Sequence, residues 1–391
     1  MMARLGDIGK IITGNTPKTS EIENYSSNDI CFIKPSDILE SDITYVKDSE
    51  FYISELARDK ARILPPQSIL VTCIGIIGKV AINQVECAFN QQINAIIPNL
   101  NTCVPNYLAY AIQYKKNEIQ GIANAAVVPI LNKTQFSDIE VNLPQLDEQL
   151  KIAAVLDKLT NLISLRKQQL AKLDELVKAR FVEMFGDPKV NPKGWKVIPL
   201  SEVINGTASN GFFAKRDEYC EDGNVQILGV VNIVNRMYSN IINLPKTNGT
   251  TVDIKKYQVK YGDMLFCRSS LVKEGIGKAS IVPRDIPENI LFECHVIRLP
   301  LNTSKCIPEF IQVLSTTPFF RNQIISQSKT ATMTTISQDG ILKSMIILPP
   351  IRLQQDFLNI VQKVDMSKLT IQQSLDKLEV LRKSLMQEYF G

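Results

Sequence analysis

The sequence predicts an α+β protein in which one plan is used twice: two strand-rich, mixed α/β globules alternate with two long helices that pair antiparallel as a coiled coil. Three observations predict it. Residues 146–186 contain no proline and only a terminal glycine, and they carry apolar residues at Leu156, Ile163, Leu170, Val177 and Met184, a seven-residue step. A second such stretch occupies 351–391, and a shift of 205 lays Leu143-Pro144 on Leu348-Pro349, Gln149 on Gln354 and Phe185-Gly186 on Phe390-Gly391. The segments between are short apolar runs broken by turn residues, the pattern of strands. The expected division is 1–145, 146–186, 187–349 and 350–391.

In the first globule, Gly14-Asn15-Thr16-Pro17, Lys34-Pro35-Ser36-Asp37 and Pro65-Pro66-Gln67-Ser68 mark turns. Ile69 to Ile74 reads as a buried strand, Gly75 to Lys79 as a turn, and Val80-Ala81-Ile82 as the strand resumed. Pro105 to Ile112 reads as a helix with proline in its first turn. A polar, small-residue stretch from Asn124 to Lys133 leads to a last strand, Ile139 to Leu143.

Residues 187–349 repeat that order. Leu200 to Ile204 matches Leu5 to Gly9, Tyr261 to Cys267 matches the strand at 69–74, Gly275 to Ile281 matches Gly75 to Ile82, and Ile307 to Ile311 matches Val104 to Leu108. The shift grows from 195 to 205, so the second globule is about ten residues longer, mostly before and around 268–274. The helices align without gaps while the globules have diverged.

The helical seams are complementary. In the first, the column Leu156, Ile163, Leu170, Val177, Met184 is wholly apolar, and its companion holds Arg166 and Arg180. In the second, the wholly apolar column is Phe357, Val364, Ile371, Leu378, Leu385, and its companion holds Lys368 and Arg382. One antiparallel register sets Leu156 against Leu385, Ile163 against Leu378, Leu170 against Ile371 and Val177 against Val364, with no two cations opposed. Lysine and arginine stems then cover apolar neighbours while their heads reach out.

Composition excludes several classes. Net charge is +4, compatible with a polyanionic partner without demanding one. Eight cysteines, none spaced C-x-x-C, point to a reduced, cytosolic chain without a zinc site, and Cys294-His295 is adjacent rather than ligand-spaced. His295 is the sole histidine; it lies in the strand-like run LFECHVIRL and reads as structural, which removes most His-dependent nucleophilic mechanisms. The glycine pairs at 75–78 and 275–277 lack phosphate-loop spacing, and no N-P-P-[YF] or D-P-P-Y methyltransferase tetrapeptide occurs. The chain reads as non-catalytic, with no metal and no cofactor of its own.

The duplicated plan, Leu143-Pro144-x-x-x-x-Gln149, Leu348-Pro349-Pro350, Met184-Phe185-Gly186-Asp187-Pro188, Asn191-Pro192-Lys193-Gly194-Trp195-Lys196 and Gly78-Lys79-Val80-Ala81-Ile82 together resemble the specificity subunit of type I restriction–modification systems over the whole chain. One departure is that the first globule starts at Met1 without a leading Gly-Trp-Lys segment. The resemblance implies that each globule is a target recognition domain reading one half of a split double-stranded DNA sequence, and that the helices set the spacer. It further implies two docked methyltransferase subunits, which bind S-adenosylmethionine and methylate adenine, and a restriction subunit that can join with ATP. None of those cofactors is expected on this chain.

Base edges are read by Asn, Gln, Arg, Lys, Ser and Thr. Candidate readers in the first globule are Asn15, Thr16, Lys18, Lys34, Ser36, Lys79, Asn90, Gln91 and Gln92. In the second they are Ser209, Asn210, Lys215, Arg216, Asn232, Arg268, Ser269, Ser270, Lys273 and Lys329, with Phe212 of Gly211-Phe212-Phe213 offered as an aromatic contact. The same module in a methylation-only or phage-exclusion complex, or a scaffold using its coiled coil for protein contacts alone, stays open at this point. A self-contained restriction enzyme would need motifs that the sequence lacks.

Overall fold

The computed structural model describes residues 1–123 and 129–391, so part of the small-residue stretch expected over Asn124–Lys133 lies outside the described residues. The chain forms two compact units, Met1–Gln168 with Gln372–Gly391, and Gln169–Ile371.

In the first unit a five-stranded sheet runs in the order Gly9–Thr13, Ile93–Pro98, Ile69–Thr72, Val80–Asn83, Thr44–Val46. Its pairs are antiparallel except the last, Thr44–Val46 with Val80–Asn83. Successive residues of the central strand face opposite cores. Ile69 and Val71 join Val80, Ile82 and the helix Pro105–Tyr114, while Leu70 joins Ile33, Leu64 and Phe89 of a second, four-stranded sheet. Burial on both faces explains why 69–72 is a continuous apolar run rather than an alternating one. A short antiparallel pair, Met2–Arg4 with Glu140–Asn142, closes the unit.

The second unit repeats the design. Its four-stranded sheet has the order Ser209–Asn210, Val296–Pro300, Asp263–Cys267, Ala279–Ile281. Met264 and Phe266 face one core; Leu265 and Cys267 face another. Lys196–Pro199 pairs with Met345–Leu348, as Met2–Arg4 does with Glu140–Asn142. Lys329–Thr330, Thr334–Thr335 and Ser269–Ser270 form a further small three-stranded sheet.

The two long helices are Leu146–Phe185 and Ile351–Phe390. Each unit contains a portion of both. In the first unit, Leu385, Met386, Tyr389 and Phe390 pack on the core that holds Ile152, Ala153 and Leu156, and Lys167 pairs with Glu379 at 3.2 Å. In the second, Val177, Phe181 and Phe185 share a core with Phe357, Val361 and Val364. Phe185 meets Phe357 edge-on, with ring centroids 5.5 Å apart. Both sets of contacts run antiparallel. Leu156, Ile163, Val177 and Val364 are buried, and Leu170, Ile371, Leu378 and Leu385 are half-buried. The seam cations of the second helix end on carboxylates: Lys368 on Asp174 and Arg382 on Asp42. All eight cysteines are free, and no helix among the described residues is long and apolar enough to cross a membrane.

Candidate nucleic-acid interface

In both units the loops at one end of the main sheet are tied by equivalent backbone hydrogen bonds. In the first, Asn15 N–H donates to Phe89 O (3.0 Å), Cys73 N–H to Gln92 O (2.8 Å) and Leu131 N–H to Cys73 O (3.0 Å). In the second, Phe212 N–H donates to Phe292 O (2.7 Å), Arg268 N–H to His295 O (2.8 Å) and Ile336 N–H to Arg268 O (3.1 Å). Close approach makes glycine necessary in the first of these loops. A Cβ on Gly14 would lie 2.1 Å from Asn90 O, and one on Gly211 would lie 2.2 Å from Glu293 O. The frame is thus shared, and the side chains it displays differ.

In the first unit the frame gathers Thr16, Asn90, Gln91 and Gln92. Thr16 Oγ1 donates to Gln91 Oε1 at 2.6 Å, and Asn90 Nδ2 donates to Gln92 Oε1 at 3.0 Å. Asn15 pins a neighbouring turn: its Nδ2 donates to Lys60 O and its Oδ1 accepts from Arg62 N–H, both at 2.8 Å. Asn90 is buried. Lys79 belongs to the framework as well, since its ammonium donates to Pro35 O and Ile38 O, each at 3.0 Å. Lys34 sits 3.1 Å from the centroid of the Phe51 ring, Lys18 pairs loosely with Glu21 at 3.9 Å, and Ser36 is exposed.

The second unit displays a more basic set. Arg268 Nη1 donates to Cys294 O at 3.1 Å, Ser269 Oγ lies 2.8 Å from His295 Nδ1, and Ser270 Oγ accepts from Val272 N–H at 3.3 Å. In the small sheet exposed Lys329 lies across the Thr334–Thr335 strand from Ser269 and Ser270, and Lys273 is exposed on the adjoining turn. Ser209 and Asn210 pair with Arg298 and Ile297 at the sheet edge. Lys215 and Arg216 are exposed in the following loop. Asn232 is buried, its Oδ1 accepting from Gly229 N–H at 2.9 Å as a turn cap. Phe212 packs inward, with its ring centroid 5.8 Å from that of Tyr257, whereas Phe213 is 66% exposed and is the aromatic free to meet a ligand.

Two features of this face are not evident from the residues alone. His295 is exposed in the turn before Val296–Pro300 rather than enclosed in a strand, because Phe292 and Val296 on either side hold the core and the residues between them bulge out. Its alignment with Gln92 in the repeat was the available signal. The Thr334-Thr335 strand is the other. At the start of the strand Asp263–Cys267, burial pushes the Asp263 carboxyl up to about 6, against the Lys260 N–H at 2.8 Å and Arg298 at 4.0 Å, which hold it down. The exposed groups are donors and acceptors at loop tips, suited to base edges and phosphates. Among the described residues no group of three or more His, Cys, Asp or Glu could hold a metal ion.

The family model described as "Type I restriction modification DNA specificity domain" matches residues 1–175 and 192–380. The chain is 26% identical to the type I restriction enzyme MjaIX specificity subunit of Methanocaldococcus jannaschii, over 98% of this chain and 90% of the relative. It is 21% identical to the EcoKI specificity subunit of Escherichia coli, over 100% and 88%. Its fold is similar to that of a type I system S subunit from M. genitalium, with a TM-score of 0.60 and 12% identity, covering 100% of this chain and 96% of that one. A duplicated fold and a family match that recurs over both halves agree: the chain belongs to the type I restriction–modification DNA specificity family.

Proposed function

We propose that this chain is the sequence-reading subunit of a type I restriction–modification complex, with residues 1–145 and 187–349 each reading one half of a bipartite double-stranded DNA target. The observation that carries this reading is the shared loop frame displaying different side chains: Thr16, Gln91 and Gln92 in one unit, Arg268, Ser269, Ser270, His295 and Lys329 in the other. A common frame with divergent tips suits two half-sites of different sequence. The long helices set the spacing between half-sites and dock two methyltransferase subunits, with restriction subunits joining where the system cuts. Adenine methylation and ATP-driven cleavage belong to those partners, and the complex works in the cytoplasm. Single-molecule sequencing of DNA from cells with and without the gene tests this. Loss of one bipartite adenine-methylation motif on deletion is expected; no change in any motif would favour a scaffold role.

A further inference from the structure

The second unit contains a cavity of about 410 Å³ where the two long helices meet the globule, and it is basic. Five cations line it, Lys178, Arg236, Lys278, Arg321 and Lys368, against one carboxylate, Asp174, which is already paired with Lys368. Arg321 spends Nη2 on Ile276 O at 2.6 Å and Glu274 O at 3.1 Å, and keeps Nη1 buried without a partner. A buried guanidinium edge with nothing to bind is costly unless an acceptor arrives.

The first unit shows what the same scaffold holds when this place is filled. There the loop after the Lys34–Asp37 turn carries Asp42, whose carboxylate accepts from Arg382 of the C-terminal helix at 2.7 Å. Gln113 Nε2 donates to Ser41 O at 3.2 Å and Lys116 Nζ to Glu40 O at 2.8 Å, so the loop is laced to the helices. The turn caps align the two loops: Lys34 N–H donates to Asp37 Oδ2 at 2.7 Å, and Gly229 N–H to Asn232 Oδ1 at 2.9 Å, 195 positions later. At that shift Asp42 corresponds to Met237 and Ser41 to Arg236; at the helical shift of 205, Arg382 corresponds to Val177. Met237, Arg236 and Val177 all line the cavity. The second unit has therefore exchanged the Asp42–Arg382 pair for Met237 and Val177, which share one apolar core, and replaced the acidic loop by Asn235-Arg236-Met237, so the only carboxylate left among the lining cations is Asp174.

We infer that this cavity is a docking site for an acidic side chain, aspartate or glutamate, carried on a segment of a partner protein. The unpartnered Arg321 Nη1 calls for an anionic acceptor, and the surplus of lining cations over Asp174 supplies charge complementarity that steers and fixes such a segment. The site is independent of base reading, since none of the side chains proposed to meet base edges lines it.

The test measures binding of fluorescein-labelled hexaglutamate to the full chain and to two variants, Met237→Asp, which restores a carboxylate in cis, and Arg236→Glu, which reverses an exposed charge. Hexaglutamate is expected to bind the native chain, and each variant to weaken it by about ten-fold. Duplex DNA and inorganic phosphate at matched charge should not displace it. No binding by the native chain, or binding by both variants as tight as the native chain's, overturns the inference. Displacement by DNA that is itself lost in the variants would make the cavity a phosphate-backbone contact, and displacement by inorganic phosphate alone would make it a small-anion site; either outcome overturns the acidic segment.

Discussion

Gln149 accepts a hydrogen bond from the Val104 N–H at 2.9 Å, the donor being the residue just before the helix that begins at Pro105. Gln354 makes the same bond to Ile307 N–H at 2.8 Å, and both amides also donate back to the proline carbonyl that precedes their own helix, Pro144 O at 2.8 Å and Pro349 O at 2.7 Å. Both side chains are fully buried. Each glutamine clamps the start of a long helix to the globule it serves. Leucine in its place leaves a buried N–H and a buried carbonyl without partners, at a cost of roughly 1–3 kcal/mol per orphaned group. Gln149→Leu and Gln354→Leu should each lower the denaturant midpoint, and protection from amide exchange should fall only in the unit that carries the change. Equal loss of protection in both units would contradict independent clamps.

Leu170 and Ile371 test the helical register. Both lie half-buried on the facing seams, between the Asp174–Lys368 pair and the Lys167–Glu379 pair. Leu170→Cys with Ile371→Cys should close a disulfide under mild oxidation, since such a bridge needs Cα atoms within about 7 Å. A gel shift that appears only when cysteines are moved by a full heptad would show a slipped register.

Asp263 gives the second unit a pH dependence of definite sign. Its carboxyl is raised to about 6 by burial, above the ordinary 3.8, so the folded state binds the proton more tightly than the unfolded state. The associated stability is fully present below about pH 4 and is lost as pH rises through about 6, a change of roughly 2–3 kcal/mol. Asp263→Asn keeps an acceptor for Lys260 N–H and removes the titration. The variant should flatten the stability profile between about pH 4 and 6, and at neutral pH it should equal or exceed the native chain by about 1–2 kcal/mol. Urea melts across that range decide it.

Phe212 and Phe213 should separate stability from binding. Phe212 packs on Val225, Ile227 and Leu291, while Phe213 is exposed. Phe212→Ala should cost about 2–4 kcal/mol of stability. Phe213→Ala should leave the melting curve unchanged and weaken duplex-DNA binding by at most about 1.5–3 kcal/mol, the worth of burying one exposed phenyl side chain in a groove.

Much of the plan is legible in the residues because it rests on spacing. Leu156 to Met184 repeat every seven positions, and Leu143-Pro144 with Gln149 recurs as Leu348-Pro349 with Gln354, so helices and duplication show in the spacing alone. The strand at 69–72 shows because burial on both faces removes every polar residue but Thr72. The site is harder. The strands Ser269–Ser270, Lys329–Thr330 and Thr334–Thr335 are two residues each, too short for any period, and far apart in sequence. Phe212 and Phe213 are chemically alike, and only the bridge from Phe212 to Glu293 decides which turns inward. Lys79 and Asn232 are polar side chains of the kind that reads bases, yet their partners are backbone groups of nearby turns. Residue type cannot distinguish a frame-holding amide from a displayed one.

Independent reading of two half-sites by the two units is tested by the methylation pattern of cells expressing Arg268→Ala. Arg268 sits at the junction of the loops that the second unit displays, bonded to Cys294 O and supporting the strand with Ser269 and Ser270. Single-molecule sequencing should show a bipartite motif in which one half relaxes or loses methylation while the other half and the spacer length stay fixed, a loss of about 1–3 kcal/mol in discrimination at that half. Equal degradation of both halves, or a changed spacer, would contradict the account.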